Sequence, residues 1–120
     1  MKKLIIALFV LGMALPSFAG IKVEDVVGTW TYLVETEYET LKGTLKFEKD
    51  GTGLTGKVYT ADGETFTLSL VEIRENNVLY FELEVDYTEY KTTMTIEGKK
   101  YTGTISIDGT EAPITGEKTE

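Results

Sequence analysis

The sequence predicts an all-β protein, a single eight-stranded antiparallel up-and-down barrel that follows an N-terminal signal peptide. From Gly28 onward, apolar and polar residues alternate in short runs, as they do in half-buried strands. Turn-forming pairs such as Asp-Gly separate these runs. Each run has one apolar face, and a sheet without covering helices buries that face by closing or folding over on itself. Closure into a barrel also removes both sheet edges. A flattened sandwich is the alternative.

Residues 1–19 have the pattern of a secretory signal peptide. Lys2 and Lys3 precede an apolar run over residues 4–15, and Ser17 and Ala19 put small residues where a signal peptidase reads. The run is short for a transmembrane helix. We therefore expect cleavage before Gly20, export through the secretory pathway, and a periplasmic or extracellular β-barrel domain over residues 20–120.

The predicted elements begin with one helical turn over residues 21–27. Eight strands follow, over residues 28–36, 41–49, 54–60, 65–72, 78–85, 88–96, 100–107 and 111–118. The turns between them carry residues that tolerate a positive φ, at Asp50-Gly51, Asp62-Gly63, Asn76-Asn77, Glu97-Gly98 and Asp108-Gly109.

Alternation within these strands predicts an inward face of bulky apolar residues. It comprises Trp30, Tyr32, Val34, Leu45, Phe47, Leu54, Val58, Phe66, Leu68, Leu70, Leu79, Phe81, Leu83, Met94, Ile96, Tyr101, Ile105, Ile107 and Ile114. An eight-stranded barrel is just wide enough to be filled by side chains or to hold one small ligand. We expect a packed middle and a packed Trp30 end. A barrel without a pocket, a small apolar pocket at the opposite mouth and a large calyx are the three alternatives.

Part of the pattern repeats at an offset of sixty residues. Gly43 and Gly56 fall on Gly103 and Gly116, within matching runs of alternating apolar residues. This repeat indicates a pseudo-symmetric barrel, with the glycines at sites of close packing or strong strand coiling. Chance similarity is the alternative, since Gly-Thr pairs and alternating apolar residues are common in any β-meander.

Composition excludes several kinds of chemistry. Residues 20–120 carry ten basic and twenty acidic residues, a net charge of −10, which disfavours nucleic acid and anionic membranes as partners. The chain has no cysteine and no histidine, so it lacks a thiol nucleophile, a disulfide and the commonest zinc ligands. No spacing singles out a carboxylate pair. We predict a protein that is not an enzyme and has no cofactor or metal, with no stable membrane insertion and an oligomeric state that stays open.

Alternate loops of an up-and-down barrel gather at each end, and the end opposite Trp30 is predicted to be acidic. Its predicted ligand-binding residues are Tyr38, Tyr87, Glu37, Asp62 and Asp86. Tyrosines on loops suit recognition because a flat amphipathic ring contributes contact area at low entropic cost. The alternative interpretation is that these acids only keep the protein soluble. The predicted function is a non-enzymatic module that binds a small ligand or a partner at this acidic mouth. The alternative is a solid-core structural module, or an interaction or accessory module for an exported protein partner, that acts through its outer surface.

The opening of the first strand, Gly28-Thr29-Trp30 after a short helical turn, resembles that of calycin-type barrels such as lipocalins, fatty-acid-binding proteins and avidins. The resemblance implies a lipocalin-like barrel in which Trp30 plugs the closed end and Lys118, in the last strand, lies across it. Residues 50–56 are also similar to the second hairpin of avidins. The overall likeness is to small secreted bacterial β-barrels, some of them appended to exported amidohydrolases. The chain is shorter than a typical lipocalin, and the polar residues with which avidins hold biotin have no clear counterparts.

Overall fold

The computed structural model describes residues 20–119, and the predicted signal peptide lies outside them. One short helix, α1 (Val23–Val26), precedes the strands. The strands are β1 (Gly28–Glu35), β2 (Thr40–Asp50), β3 (Gly53–Thr60), β4 (Thr65–Thr67), β5 (Leu70–Arg74), β6 (Val78–Val85), β7 (Thr88–Glu97), β8 (Lys100–Ile107) and β9 (Thr110–Glu117). The only helix among residues 20–119 has four residues, so no helix in this range is long enough to span a bilayer.

All nine strands form one antiparallel sheet in the order β4-β3-β2-β1-β9-β8-β7-β6-β5. The first and last strands pair, with Ile114 opposite Val34 and Thr115 opposite Leu33. Consequently, the two edges of the sheet are β4 and β5, which are consecutive in the chain. The sheet curls so that these edges approach each other, which gives the predicted all-β, barrel-like architecture.

The prediction of eight strands is wrong by one, because the predicted strand over residues 65–72 is broken in the middle. The amide of Leu68 donates to the carbonyl of Gly56 in β3 at 2.9 Å, whereas the next amide, of Ser69, donates to Glu82 in β6 at 2.8 Å. The two halves of the segment thus pair with opposite sides of the barrel. The segment over residues 65–74 therefore bends in the middle, and its two halves, β4 and β5, form the two edges of the sheet.

This break also reverses the predicted faces beyond it. Leu70 was expected to point inward, but it lies opposite Glu82 and is 38% exposed. Val71 and Ile73 instead pack against the core, opposite Phe81 and Leu79. A one-residue shift in alternation moves every following side chain to the other face.

The Trp30 end of the barrel is plugged, as the resemblance to calycin-type barrels implied. Trp30 is fully buried, and its indole N–H donates to the carbonyl of Val26 in α1 at 2.8 Å. The ring of Tyr101 packs edge-on against it, with centroids 5.9 Å apart. Lys118 pairs with Trp30 at the end of the sheet, places its Nζ 5.7 Å from the ring centroid and donates to the carbonyl of Asp25. Helix and last strand together close this end.

Inward glycines allow the strands to curl tightly around large side chains. Gly116 lies under the phenol of Tyr101, whose hydroxyl donates to the carbonyl of Thr31 at 2.8 Å. A Cβ at Gly116 would lie 2.7 Å from that hydroxyl oxygen and would also meet the Thr31 carbonyl. Its repeat partner Gly56 is similarly enclosed, by Leu68 and Phe47. The glycines of the sixty-residue repeat are therefore packing positions, as predicted.

We expect Gly116→Ala to lower the free energy of unfolding by about 2 kcal/mol, because the added methyl displaces Tyr101 or the Thr31 carbonyl. Urea denaturation at equilibrium measures it. Gly53→Ala is the matched control, since a Cβ there meets nothing closer than 3.7 Å. Equal effects of the two substitutions would contradict the packing role of Gly116.

Candidate functional site: a cavity at the acidic end

Four loops meet at the end of the barrel away from Trp30. They connect β1 to β2, β3 to β4, β6 to β7, and β8 to β9, over residues 36–39, 61–64, 86–87 and 108–109. Together these loops contain six carboxylates and no lysine or arginine, at Glu37, Glu39, Asp62, Glu64, Asp86 and Asp108. This end is therefore strongly negative.

A cavity of about 450 Å³ lies inside the barrel at this end. Every strand except β5 contributes to its wall. It is lined by Tyr32, Val34, Thr40, Leu41, Lys42, Leu45, Val58, Thr60, Ala61, Asp62, Glu64, Phe66, Phe81, Leu83, Val85, Tyr90, Ile105 and Ile114. The exposed side chains of Thr40, Asp62 and Glu64 mark where it meets solvent.

The cavity does not continue to the Trp30 end. Phe81, on its wall, packs against Phe47 with ring centroids 6.0 Å apart. Beyond them Leu79, Met94 and Ile96 are almost fully buried. Of the three alternatives left open by the sequence, the structure has the second, a pocket at the acidic mouth above a packed core. Only the Trp30 half of the barrel has a solid core.

Two half-buried tyrosines, Tyr32 and Tyr90, add hydroxyls to a mostly apolar wall. Burial raises the pKa of Tyr32, and the nearby Asp62 carboxylate adds to this rise. Burial likewise raises the pKa of Tyr90, with further contributions from Glu39, Asp108 and Asp86. Both phenols therefore stay protonated near neutral pH. Carboxylates from three loops thus contribute to the raised pKa of Tyr90.

A buried hydroxyl lies beside the cavity. Thr92 follows Tyr90 on the inward face of β7 and is fully buried, opposite Phe81 on one neighbouring strand and Ile105 on the other. Both of those neighbours line the cavity. The Thr92 hydroxyl has no hydrogen-bond partner among the described residues. A buried, unpaired hydroxyl is costly, so Thr92 lowers the stability of the barrel at this level.

The five sequence-predicted site residues all lie at the acidic end, but only Asp62 lines the cavity. Asp62 is held by a hydrogen bond from the hydroxyl of Thr60. Glu37 is exposed in its loop, and Asp86 lies outside the cavity wall, where its carboxylate adds to the raised pKa of Tyr90. Tyr38 and Tyr87 are 92% and 95% exposed and stay outside the cavity wall. The structure thus brings these residues to one rim without bringing them into one pocket.

Sequence reasoning missed Tyr32 and Tyr90 as site residues. Alternation placed Tyr32 inward, and the same rule places Tyr90 inward with Met94 and Ile96. Tyr90 lies two residues into the strand that begins at the acidic end. An inward-facing tyrosine this close to a loop of the acidic end could have identified Tyr90 as a site residue. The described residues contain no cluster of three or more acidic, histidine or cysteine side chains arranged for a metal ion.

Comparison with known proteins supports the fold alone. Neither a known protein family nor a curated protein sequence matches this chain. Among solved structures, a redesigned β-barrel matches with a TM-score of 0.70 at 14% identity, covering 87% of this chain and all of the other. A de novo designed fluorescence-activating β-barrel matches with a TM-score of 0.60 at 16% identity, over 81% of this chain and 96% of its own. A redesigned β-barrel bound to DFHBI gives 0.61 at 13% identity, over 81% and 97%.

The turn between β6 and β7 gives a prediction for Tyr87. Asp86 and Tyr87 both have a positive φ, of 50° and 67°, in a conformation that favours glycine. We expect Tyr87→Gly to raise the free energy of unfolding by about 0.5 kcal/mol, because the relieved strain exceeds the added chain entropy. Urea denaturation measures the change. Tyr38→Gly is the control, since Tyr38 is equally exposed without a positive φ. A loss of stability in Tyr87→Gly would show that the ring has a structural role.

Replacing the unpaired Thr92 hydroxyl by a methyl group should stabilise the protein. We expect Thr92→Val to raise the free energy of unfolding by about 1 kcal/mol, because valine has nearly the same shape and no polar group to desolvate. Thr93→Val, on the exposed face of the same strand, is the control and should change stability little. Thermal and urea denaturation of both variants give the comparison. Destabilisation by Thr92→Val would mean that the hydroxyl is already satisfied.

Proposed function

We propose that this protein is a non-enzymatic binding module that takes up a small, mostly apolar ligand through its acidic mouth. The observation that carries the proposal is the cavity of about 450 Å³, which lies within the size range of small-molecule sites. Its deep wall is formed by aliphatic and aromatic side chains, including Leu45, Val58 and Phe81. Burial of a ligand's apolar surface against this wall supplies the driving force for binding.

The placement of polar groups supports the same proposal. Tyr32 and Tyr90 add hydroxyls to a mostly apolar wall, and the unpaired hydroxyl of Thr92 is buried beside it. A few polar groups within an apolar pocket are typical of sites that orient a small molecule. The rest of the barrel is packed, so the wall is held by a rigid scaffold rather than by loops alone.

Three further considerations support a binding role outside the cytoplasm. One structurally similar designed barrel activates fluorescence and another holds DFHBI, so barrels of this shape accommodate small molecules. The resemblance to calycin-type barrels, which include the biotin-holding avidins, favours the same role. The signal-peptide pattern of residues 1–19 favours export to the periplasm or beyond.

Titration with the neutral dye Nile red, whose emission rises in apolar surroundings, tests the proposal. We expect saturable one-to-one binding to residues 20–120. Leu41→Trp should weaken it at least about tenfold, because Leu41 lines the cavity near the mouth and an indole there occupies ligand space. Leu33→Trp is the matched control, since Leu33 lies at the same end of the neighbouring strand but is 37% exposed on the outer face.

Circular dichroism of both tryptophan variants checks that the sheet is intact. Equal dye affinity in Leu41→Trp and the wild type would place binding outside the cavity. No saturable binding to the wild type would overturn the proposal and favour a module that acts through its outer surface.

A further inference from the structure

We propose that the cavity selects apolar molecules that carry a positively charged amine over neutral or anionic molecules of the same shape. This inference rests on the proposed function, because it assigns a ligand class to the same cavity. It follows from how charge, aromatic rings and apolar surface are distributed between the mouth and the deep wall.

The mouth of the cavity favours a cation. Asp62 and Glu64 line it directly, and Glu39, Asp86 and Asp108 act on the phenol of Tyr90. The four loops that surround the mouth contain no basic residue. A cleft lined by one sign of charge over low-dielectric walls concentrates ligands of the opposite sign. A carboxylate or phosphate entering here meets repulsion from several directions.

Lys42 is the only basic residue on the cavity wall, and it does not reverse this field. It lies opposite Leu33 on the outer face of β2, next to the inward-facing Leu41, and it is exposed. Its ammonium group is therefore free to extend into solvent, where its charge is screened. The carboxylates of the rim, rather than Lys42, therefore determine the negative charge of the mouth.

The tyrosines suit an ammonium group just inside the mouth. A phenol oxygen accepts a hydrogen bond from an ammonium, and the ring faces attract a cation. Tyr32 and Tyr90 are half-buried in the wall, and carboxylates lie near both phenols. An amine head at this level leaves its apolar body against Val58, Phe81 and Ile105. The Thr92 hydroxyl is buried behind this deep wall and has no hydrogen-bond partner among the described residues.

A set of three molecules with one skeleton separates head charge from shape. 4-Phenylbutylamine, 4-phenyl-1-butanol and 4-phenylbutyrate are positive, neutral and negative at pH 7. Chemical-shift titration of ¹⁵N-labelled residues 20–120 at low salt gives their affinities and the residues perturbed. We expect the amine to bind about tenfold tighter than the carboxylate, with the alcohol between them, as one opposite instead of like charge produces in a partly solvated site. The difference should shrink in high salt.

Two matched double variants locate the source of selectivity. Asp62→Asn with Glu64→Gln removes two charges at the mouth, and the asparagine retains the oxygen that accepts from Thr60. Glu75→Gln with Glu97→Gln removes the same charge in the β5–β6 turn and at the end of β7, at the Trp30 end. The first pair should reduce the preference for the amine at least about threefold. The second pair should leave it unchanged.

The outcomes separate this inference from the proposed function. Equal or tighter binding of the carboxylate overturns amine selection while leaving ligand binding intact. Binding of Nile red without binding of any phenylbutyl compound also overturns amine selection alone. Absence of both overturns the two proposals together. Equal loss of preference in both double variants would attribute selectivity to overall charge and overturn the role of the mouth.

Discussion

The pairing of the first strand with the last is the constraint on which the rest of the structure depends. Ile114 lies opposite Val34, and Lys118 lies opposite Trp30. In a simple meander the first and last strands would be free edges, but here they pair with each other. The free edges move to the middle of the chain, where a single segment bends at Leu68 and Ser69 and pairs to either side. This arrangement leaves only short edges, which limits pairing with other chains.

That closure makes the two ends of the barrel chemically different. At one end α1 brings the carbonyl of Val26 to the Trp30 indole, and Tyr101 and Lys118 pack around the ring. At the other end, among residues 20–119, only hairpin loops connect the strands, and the cavity opens between them. The packed end stabilises the barrel, and the loop end is free to carry a cavity and a charged rim. Loops on a rigid scaffold are where binding residues commonly lie.

The cavity exists because the side chains at its level of the barrel leave the centre unfilled. Trp30, Phe47 and Tyr101 fill the closed half, whereas Val34, Val58 and Ile114 face inward in the open half. Phe66, Phe81 and the two tyrosines at this level line the wall and do not fill the space between the strands. The deep wall of the resulting cavity is apolar and its rim is polar, and both proposals rest on this arrangement.

The sequence by itself determined the all-β class, the turns, most of the inward face and the acidic character of one end. Period-two alternation and turn residues such as Gly51 and Asp108 are local signals, so they need no knowledge of strand partners. Only the tertiary structure decided the break at Leu68 and Ser69, since it depends on which strands flank that segment. It alone also decided that Tyr32 and Tyr90 line a cavity while Tyr38 and Tyr87 remain outside. Inward-facing volume is set by how the sheet curls, and alternation does not encode that curvature.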